Sequence, residues 1–303
     1  IATGFSIGIQ IIIARRFGEG NHGRIGVIFQ HGSIFVLILG LILFSILYIF
    51  SDHLLLWLID SPNIYEASLE YIKYRQFGII FVCFNFLYRA LYVGISNTKV
   101  ITYSTIIMAV VNIFLDYCLI FGNFGFPEMG IGGAALASFC AEVSAFTFFT
   151  IYSYITLRNK DYGMFKLHRL ESELMGRILK LATPTMIQKL FSFSVWFIFF
   201  ILIEKMGETA TGISSIVRSV YMILITPCFA FATTTNTVVS RIIGEGHSDQ
   251  VFSTINKILK NCLLCTIPIM ILVAIFPIQI ARIYTDDLNL AQIVVPSIYV
   301  ICF

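Results

Sequence analysis

Ala14-Arg15-Arg16-Phe17-Gly18-Glu19-Gly20-Asn21 closes a long apolar segment, and its pattern returns as Ser240-Arg241-Ile242-Ile243-Gly244-Glu245-Gly246-His247 after another. Arg15, Gly18, Glu19 and Gly20 match Arg241, Gly244, Glu245 and Gly246 at a constant offset of 226 residues. The same offset, without a gap, pairs Ile49-Phe50 with Ile275-Phe276, Asp60 with Asp286, Asn63 with Asn289 and Ile72 with Ile298. A repeat of this kind sets the architecture: the chain holds two copies of one unit. Gly-Glu-Gly by itself invites a phosphate-loop reading, but the Lys-Ser/Thr and the strand such a loop needs are missing. Its echo reads it as a helix-breaking turn used once per copy.

The surrounding composition names the solvent. Of 303 residues, 58% are hydrophobic and 12% charged, against about 25% charged in a soluble domain. This is a polytopic membrane protein. A net charge of +3 implies no nucleic-acid partner. The seven cysteines all lie in apolar runs. Cys262-x-x-Cys265 has metal-like or redox-like spacing, but without a second pair or a histidine these read as free thiols packed as small hydrophobes, and no cofactor is expected. The histidines, His22, His31, His53, His168 and His247, fall in predicted loops or at span ends, which disfavours a membrane-embedded enzyme. Ile1 already lies inside an apolar segment, so the chain is expected to be truncated there.

A span needs about 20 apolar residues. The first runs up to Ala14 and carries Gly4-x-x-x-Gly8, a spacing that lets helices approach closely; Gln10 within it reads as a helix–helix hydrogen bond rather than a ligand group. Further spans are predicted over Gly32–Ser51, Gln76–Ser96, Val100–Phe121, Gly130–Leu157, Leu181–Ile203, Thr211–Val239 and Asn261–Ala281, with another beginning near Ile293. Asp52–Arg75 reads as a more polar stretch with a turn at Ser61-Pro62-Asn63. The sequence divides into a first lobe, 1–157, a polar linker, 158–180, and a second lobe, 181–303. With alternate loops on one side, thirteen basic residues lie with the Gly-Glu-Gly turns and the linker and four lie opposite. That asymmetry puts the turns in the cytoplasm of an inner (plasma) membrane protein.

Six spans separate the two turns, so both copies point the same way. The predicted fold is all-α: two six-helix lobes related by a parallel pseudo-two-fold along the membrane normal, both incomplete here. Repeat symmetry gives a parent of about 430–450 residues.

Arg15-Arg16-Phe17-Gly18-Glu19-Gly20-Asn21, Asn112-Ile113-Phe114-Leu115-Asp116-Tyr117-Cys118-Leu119-Ile120-Phe121-Gly122 and Gly125-Phe126-Pro127-Glu128-Met129-Gly130-Ile131-Gly132-Gly133-Ala134-Ala135-Leu136-Ala137-Ser138 together resemble segments of the MATE (multidrug and toxic compound extrusion) family. The resemblance covers essentially the whole chain, as family spans two to ten. It implies a monomeric antiporter that expels cationic or amphipathic compounds in exchange for protons or sodium ions by alternating access. A flippase for lipid-linked saccharides, with a related two-lobed fold, is the alternative.

The residues themselves single out Asp116. A carboxylate at a helix centre costs about 2.5–3.5 kcal/mol on insertion scales. Asn112 lies four residues earlier on the same helical face, and an amide beside a carboxylate suits a reversible proton or sodium site. The competing reading places Asp116 at the membrane interface. By the resemblance, Ser138 keeps the hydroxyl of a family threonine in this cation site, and a first-span Asp lies upstream of Ile1. Ser192 stands where many members carry a Glu, which shifts the expected coupling to the first lobe. Glu142, one turn beyond Ser138, either faces the same cavity or caps a polar helix contact. Gln188 either lines the cavity or packs. Asn236, in the run Thr233–Thr237, either lines the cavity or sits among threonines bonded to their own helix. Lys189 reads as snorkelling or paired, and Arg89 and Arg218 as partners of acidic residues or lipid headgroups.

Overall fold

A computed structural model describes residues 1–58, 62–157, 162–285 and 287–302. Among the described residues eleven α-helices follow one another: α1 (Ala2–Gly18), α2 (Gly23–Leu58), α3 (Pro62–Arg75), α4 (Gly78–Gly94), α5 (Lys99–Phe121), α6 (Gly130–Leu157), α7 (Ser172–Glu204), α8 (Glu208–Gly244), α9 (Val251–Ile275), α10 (Pro277–Ala281) and α11 (Leu288–Cys302). No strand occurs among the described residues. Among the described residues six helices are long and apolar enough to cross a membrane, or seven if α3 and α4, bent by 56°, count as one span. Only helices can cross hydrocarbon in this way, because each satisfies its own backbone. The chain divides into two compact units, Ile1–Met186 and Ile187–Phe303, and the division falls inside α7.

The repeat survives at the level of single hydrogen bonds. After α1, Gly20 N–H donates to the carbonyl of Phe17 and Asn21 N–H to that of Arg16. After α8, Gly246 N–H donates to Ile243 and His247 N–H to Ile242. This is the Schellman closure, which needs a left-handed residue, and Gly20 (φ 68°) and Gly246 (φ 84°) supply it. Glu19 pairs with Arg15 at 3.2 Å and with Arg16, and Glu245 with Arg241 at 2.7 Å. Gly-Glu-Gly is therefore a helix stop with its own ion pair. Pro62–Arg75 and Leu288–Cys302 are likewise helices 226 residues apart. The Asp60–Asp286 pairing lies outside the described residues.

In the first unit α1 is the centre, with Phe5, Ile9 and Ile13 fully buried. It packs on α2 and α4, while α6 covers α3, α4 and α5. Gly4 and Gly8 have a specific use. A Cβ on Gly4 would meet the Met186 backbone at 2.6 Å, and one on Gly8 would meet Ala182 at 2.7 Å. The small-residue stripe thus seats the start of α7, where Thr185 Oγ1 also donates to the Gly4 carbonyl at 3.3 Å. Gln10 is buried and bonded. The second unit has its own core, built on Ile216, Val220, Val294 and Ile298.

Three expectations need correction. The stretch Asp52–Arg75 is not an open polar loop, because Pro62–Arg75 is helical and runs with one bend into α4. Gly132 of α6 lets Glu70 and Tyr74 pack closely. The second span begins at Gly23 rather than near Gly32. His31 is therefore no span-end residue: it is 1% exposed inside α2, its Nδ1 on the Val27 carbonyl (2.8 Å) and its Nε2 accepting from Glu171 N–H (2.9 Å). Finally, the segment expected over Asn261–Ala281 is two helices, α9 from Val251 and α10 after a break at Phe276 before Pro277.

That early start of α2 holds the connector. Arg24 grips Glu171 through two bonds of 2.6 and 2.8 Å, Gln30 exchanges two with the His168 backbone, and Gly26 N–H donates to Tyr162. Arg158 and Lys160, assigned to the linker, lie outside the described residues. The linker's other end, from Ser172, is already α7.

Candidate functional site

The site is built on a helical hairpin. α5 ends at Gly122 (φ 68°), a short 3-10 turn follows, and Met129 N–H donates back to the Leu119 carbonyl at 2.8 Å. Gly133, lacking a side chain, lets α6 rest on that same carbonyl. This closeness puts one row of α5, Ser104, Met108, Asn112 and Asp116, and one row of α6, Ser138 and Glu142, on packed helices; residues four apart share a helix face.

Asn112, Asp116 and Ser138 are all half-buried. No hydrogen bond joins them among the described residues. Asn112 Nδ2 is buried without an acceptor, a cost unless an acceptor or water meets it. This orphaned donor lies one turn from the Asp116 carboxylate on the same face of α5.

Glu142 makes a polar contact between helices. Its Oε2 and Oε1 accept from Arg75 Nη1 and Nη2 at 2.8 and 2.6 Å, tying the end of α3 to the middle of α6. Such a fork–fork pair is charge-assisted and geometrically specific. Gly78 lies directly beneath, where a Cβ would strike Arg75 Nη1 and Glu142 Oε2. Glu142 also lines a cavity of about 160 Å³ between α4, α5 and α6, with Asn85, Arg89, Ser104, Phe86 and Phe149. Asn85 Nδ2 donates to the Glu142 carbonyl at 3.0 Å, and its Oδ1 is buried without a donor. Arg89 donates to Thr105 at 3.1 Å. The expected acidic partner of Arg89 is not found among the described residues.

The second-unit candidates stand apart from any such cluster. Gln188 and Asn236 are exposed. Around Asn236, Thr233, Thr234, Thr235 and Thr237 each return their hydroxyl to the carbonyl four residues back. Lys189 sits 4.8 Å from the Phe229 ring and Arg218 4.9 Å from the Phe200 ring. Cation–π contact with a ring is one way to hold a charge in an apolar setting. Among the described residues no cluster of metal-ligating side chains occurs.

Arg75, Asn85 and Ser104 were not singled out from the sequence. A signal existed for two of them: Asn85 with Arg89, and Ser104 with Asn112 and Asp116, recur at multiples of four along single predicted helices. Arg75 had none, because its helix reads as polar loop.

Known proteins share this fold. The MatE family model matches residues 1–118 and again 184–303, once per copy of the repeat. A probable multidrug resistance protein NorM from Thermotoga maritima is 29% identical over 292 residues, 95% of this chain and 62% of that protein. A probable multidrug resistance protein YoeA from Bacillus subtilis is 24% identical over 289 residues, 94% of this chain and 62% of that one. The chain thus spans under two thirds of these relatives' length. The outward-facing structure of a multidrug resistance MATE transporter of the MOP superfamily superposes with a TM-score of 0.88 at 21% identity, over 98% of this chain and 66% of that one. Two matches of one family model, one on each helical unit, identify the chain as a member of the MatE family of multi-pass membrane transporters.

Proposed function

We propose that the protein is a cation-coupled antiporter of the inner (plasma) membrane that exports cationic or amphipathic small molecules, drugs or metabolites, by alternating access. Its ion site is formed by Asp116, Asn112 and Ser138. The observation that carries this reading is the pairing on α5 of an intramembrane carboxylate with the orphaned amide of Asn112. An ionised group in a span is costly and marks an ion path. A carboxyl that alternates between wet and dry surroundings takes up and releases a proton. Coupling then requires only that the ion bind the two states with different affinity. The multidrug names of relatives and the family membership support the efflux direction.

The test is transport. In proteoliposomes, ethidium efflux driven by an imposed proton or sodium gradient is expected for the wild type and lost in Asp116→Asn. Normal coupling in that variant would remove the site assignment, and a wild type indifferent to both gradients would remove the antiport reading.

One observation favours a second reading, a flippase for an anionic lipid-linked saccharide. Arg89, Lys189 and Arg218 lie within the helices, and none forms an ion pair among the described residues. Movement of a fluorescent lipid-linked saccharide, with no dye efflux, would select it.

A further inference from the structure

The cavity between α4, α5 and α6 holds polar groups that the protein itself does not use. Ser104 is 2% exposed, and its hydroxyl makes no hydrogen bond among the described residues. Ser6 and Ser33, by contrast, return the hydroxyl to their own helix at 2.8 and 2.9 Å. Asn85 spends its amide N–H on the Glu142 carbonyl and leaves Oδ1 buried without a donor. Arg89, one turn along the same face of α4, gives one bond to Thr105 and meets no carboxylate. The one carboxylate of the cavity wall, Glu142, is neutralised by both arms of Arg75.

The wall therefore presents one uncompensated positive charge, one lone acceptor and one free hydroxyl. The rings of Phe86 and Phe149 flank them in a space of about 160 Å³. A purely cationic ligand finds no free anion here and a like charge in Arg89. A ligand that satisfies every group carries an acid for the guanidinium and a donor for Asn85 Oδ1, with a short apolar body between the rings. Ser104, able to give or accept, serves either end.

We propose that this cavity is a recognition site for small carboxylic acids with a hydrogen-bond donor beside the acid, that is α-hydroxy or α-amino acids, and that Arg89 selects their charge. The proposal rests on the efflux reading for the fate of the ligand but not for its binding, so equilibrium binding is the test.

The purified protein in detergent is titrated calorimetrically with three probes that share a 3-methylbutyl chain: 2-hydroxy-4-methylpentanoate, 4-methylpentanoate and isopentylamine. The hydroxy acid is expected to bind most tightly and the amine least. Arg89→Gln lowers hydroxy-acid affinity about tenfold or more, the usual scale for a charge-assisted bond. Arg89→Lys, which keeps the charge but not the planar fork, falls between, and Ser104→Ala weakens binding several-fold. The proposal is overturned if the amine binds as tightly as the hydroxy acid, or if no probe binds the wild type. It is also overturned if Arg89→Gln, folded to the wild-type melting temperature, leaves hydroxy-acid affinity unchanged. Should Arg89→Gln not fold, unchanged affinity in both Arg89→Lys and Ser104→Ala overturns it. Asp116→Asn separates the two readings: it is expected to abolish gradient-driven efflux and to leave hydroxy-acid binding intact. A wild type that binds the acid through Arg89 but moves no dye under any gradient refutes the efflux reading and leaves this site standing.

Discussion

Arg75 and Glu142 are partners 67 residues apart in sequence, and each is harmful without the other. Removing one member of a desolvated pair strands a charge at a cost of about 3–5 kcal/mol. With Arg75 30% and Glu142 13% exposed, solvent screening places Glu142→Ala below that range, at about 2–3 kcal/mol. The apolar double variant Arg75→Met with Glu142→Leu is expected to lose much less, as a double-mutant cycle in thermal unfolding would read. Gly78→Ala tests the same contact from below, since its Cβ displaces both charged groups; its melting temperature is expected to fall about as far as that of Glu142→Ala. Asp116, Asn112 and Glu142 were legible in the sequence because a polar residue inside an apolar run stands out. Their partners were not. Pairing across 67 residues leaves no local trace, and a free hydroxyl such as that of Ser104 looks in sequence like any other serine.

At the scale of elements, glycine serves two different physical needs. Gly20 and Gly246 have open space around the missing side chain and positive φ. Alanine there meets only backbone strain, about 1–2 kcal/mol for a left-handed residue, and both variants are expected to show that same modest loss in denaturant unfolding. Gly4 and Gly8 have ordinary helical φ and no open space, since α7 lies against them. Gly8→Leu is expected to separate α1 from α7 and to lower the melting temperature by more than either turn variant, which thermal unfolding would read. The Gly-Glu-Gly turns were readable because their chemistry is local: a stop residue, a cation four positions before an acid, and a repeat to compare. α3 was misread for the opposite reason. Glu66, Glu70, Lys73 and Arg75 give it the composition of a loop, and its helicity rests on packing against α6 that no local pattern displays.

For the molecule as a whole, the repeated turn was legible in the sequence, but the clasp between α2 and the connector was not. The hydrogen bond from Arg24 holds Glu171 below its ordinary value of 4.5, helped by the charges of Arg24 and Arg177. A carboxylate lowered on folding stabilises above its unfolded pKa, and that contribution is lost as pH falls through the folded value. Unfolding midpoints measured from pH 7 down to 3 are therefore expected to drop more steeply for the wild type than for Glu171→Gln; parallel curves would show that the clasp adds nothing. The clasp also has a meaning in time. Arg24 and Glu171 are 147 residues apart. A ribosome adding about 5–20 residues per second needs roughly 7–30 s to bring the second after the first. Through that interval α2 enters the bilayer with its Arg24 end unanswered. The first unit is locked only when the connector emerges, so synthesis itself provides a checkpoint between the two halves.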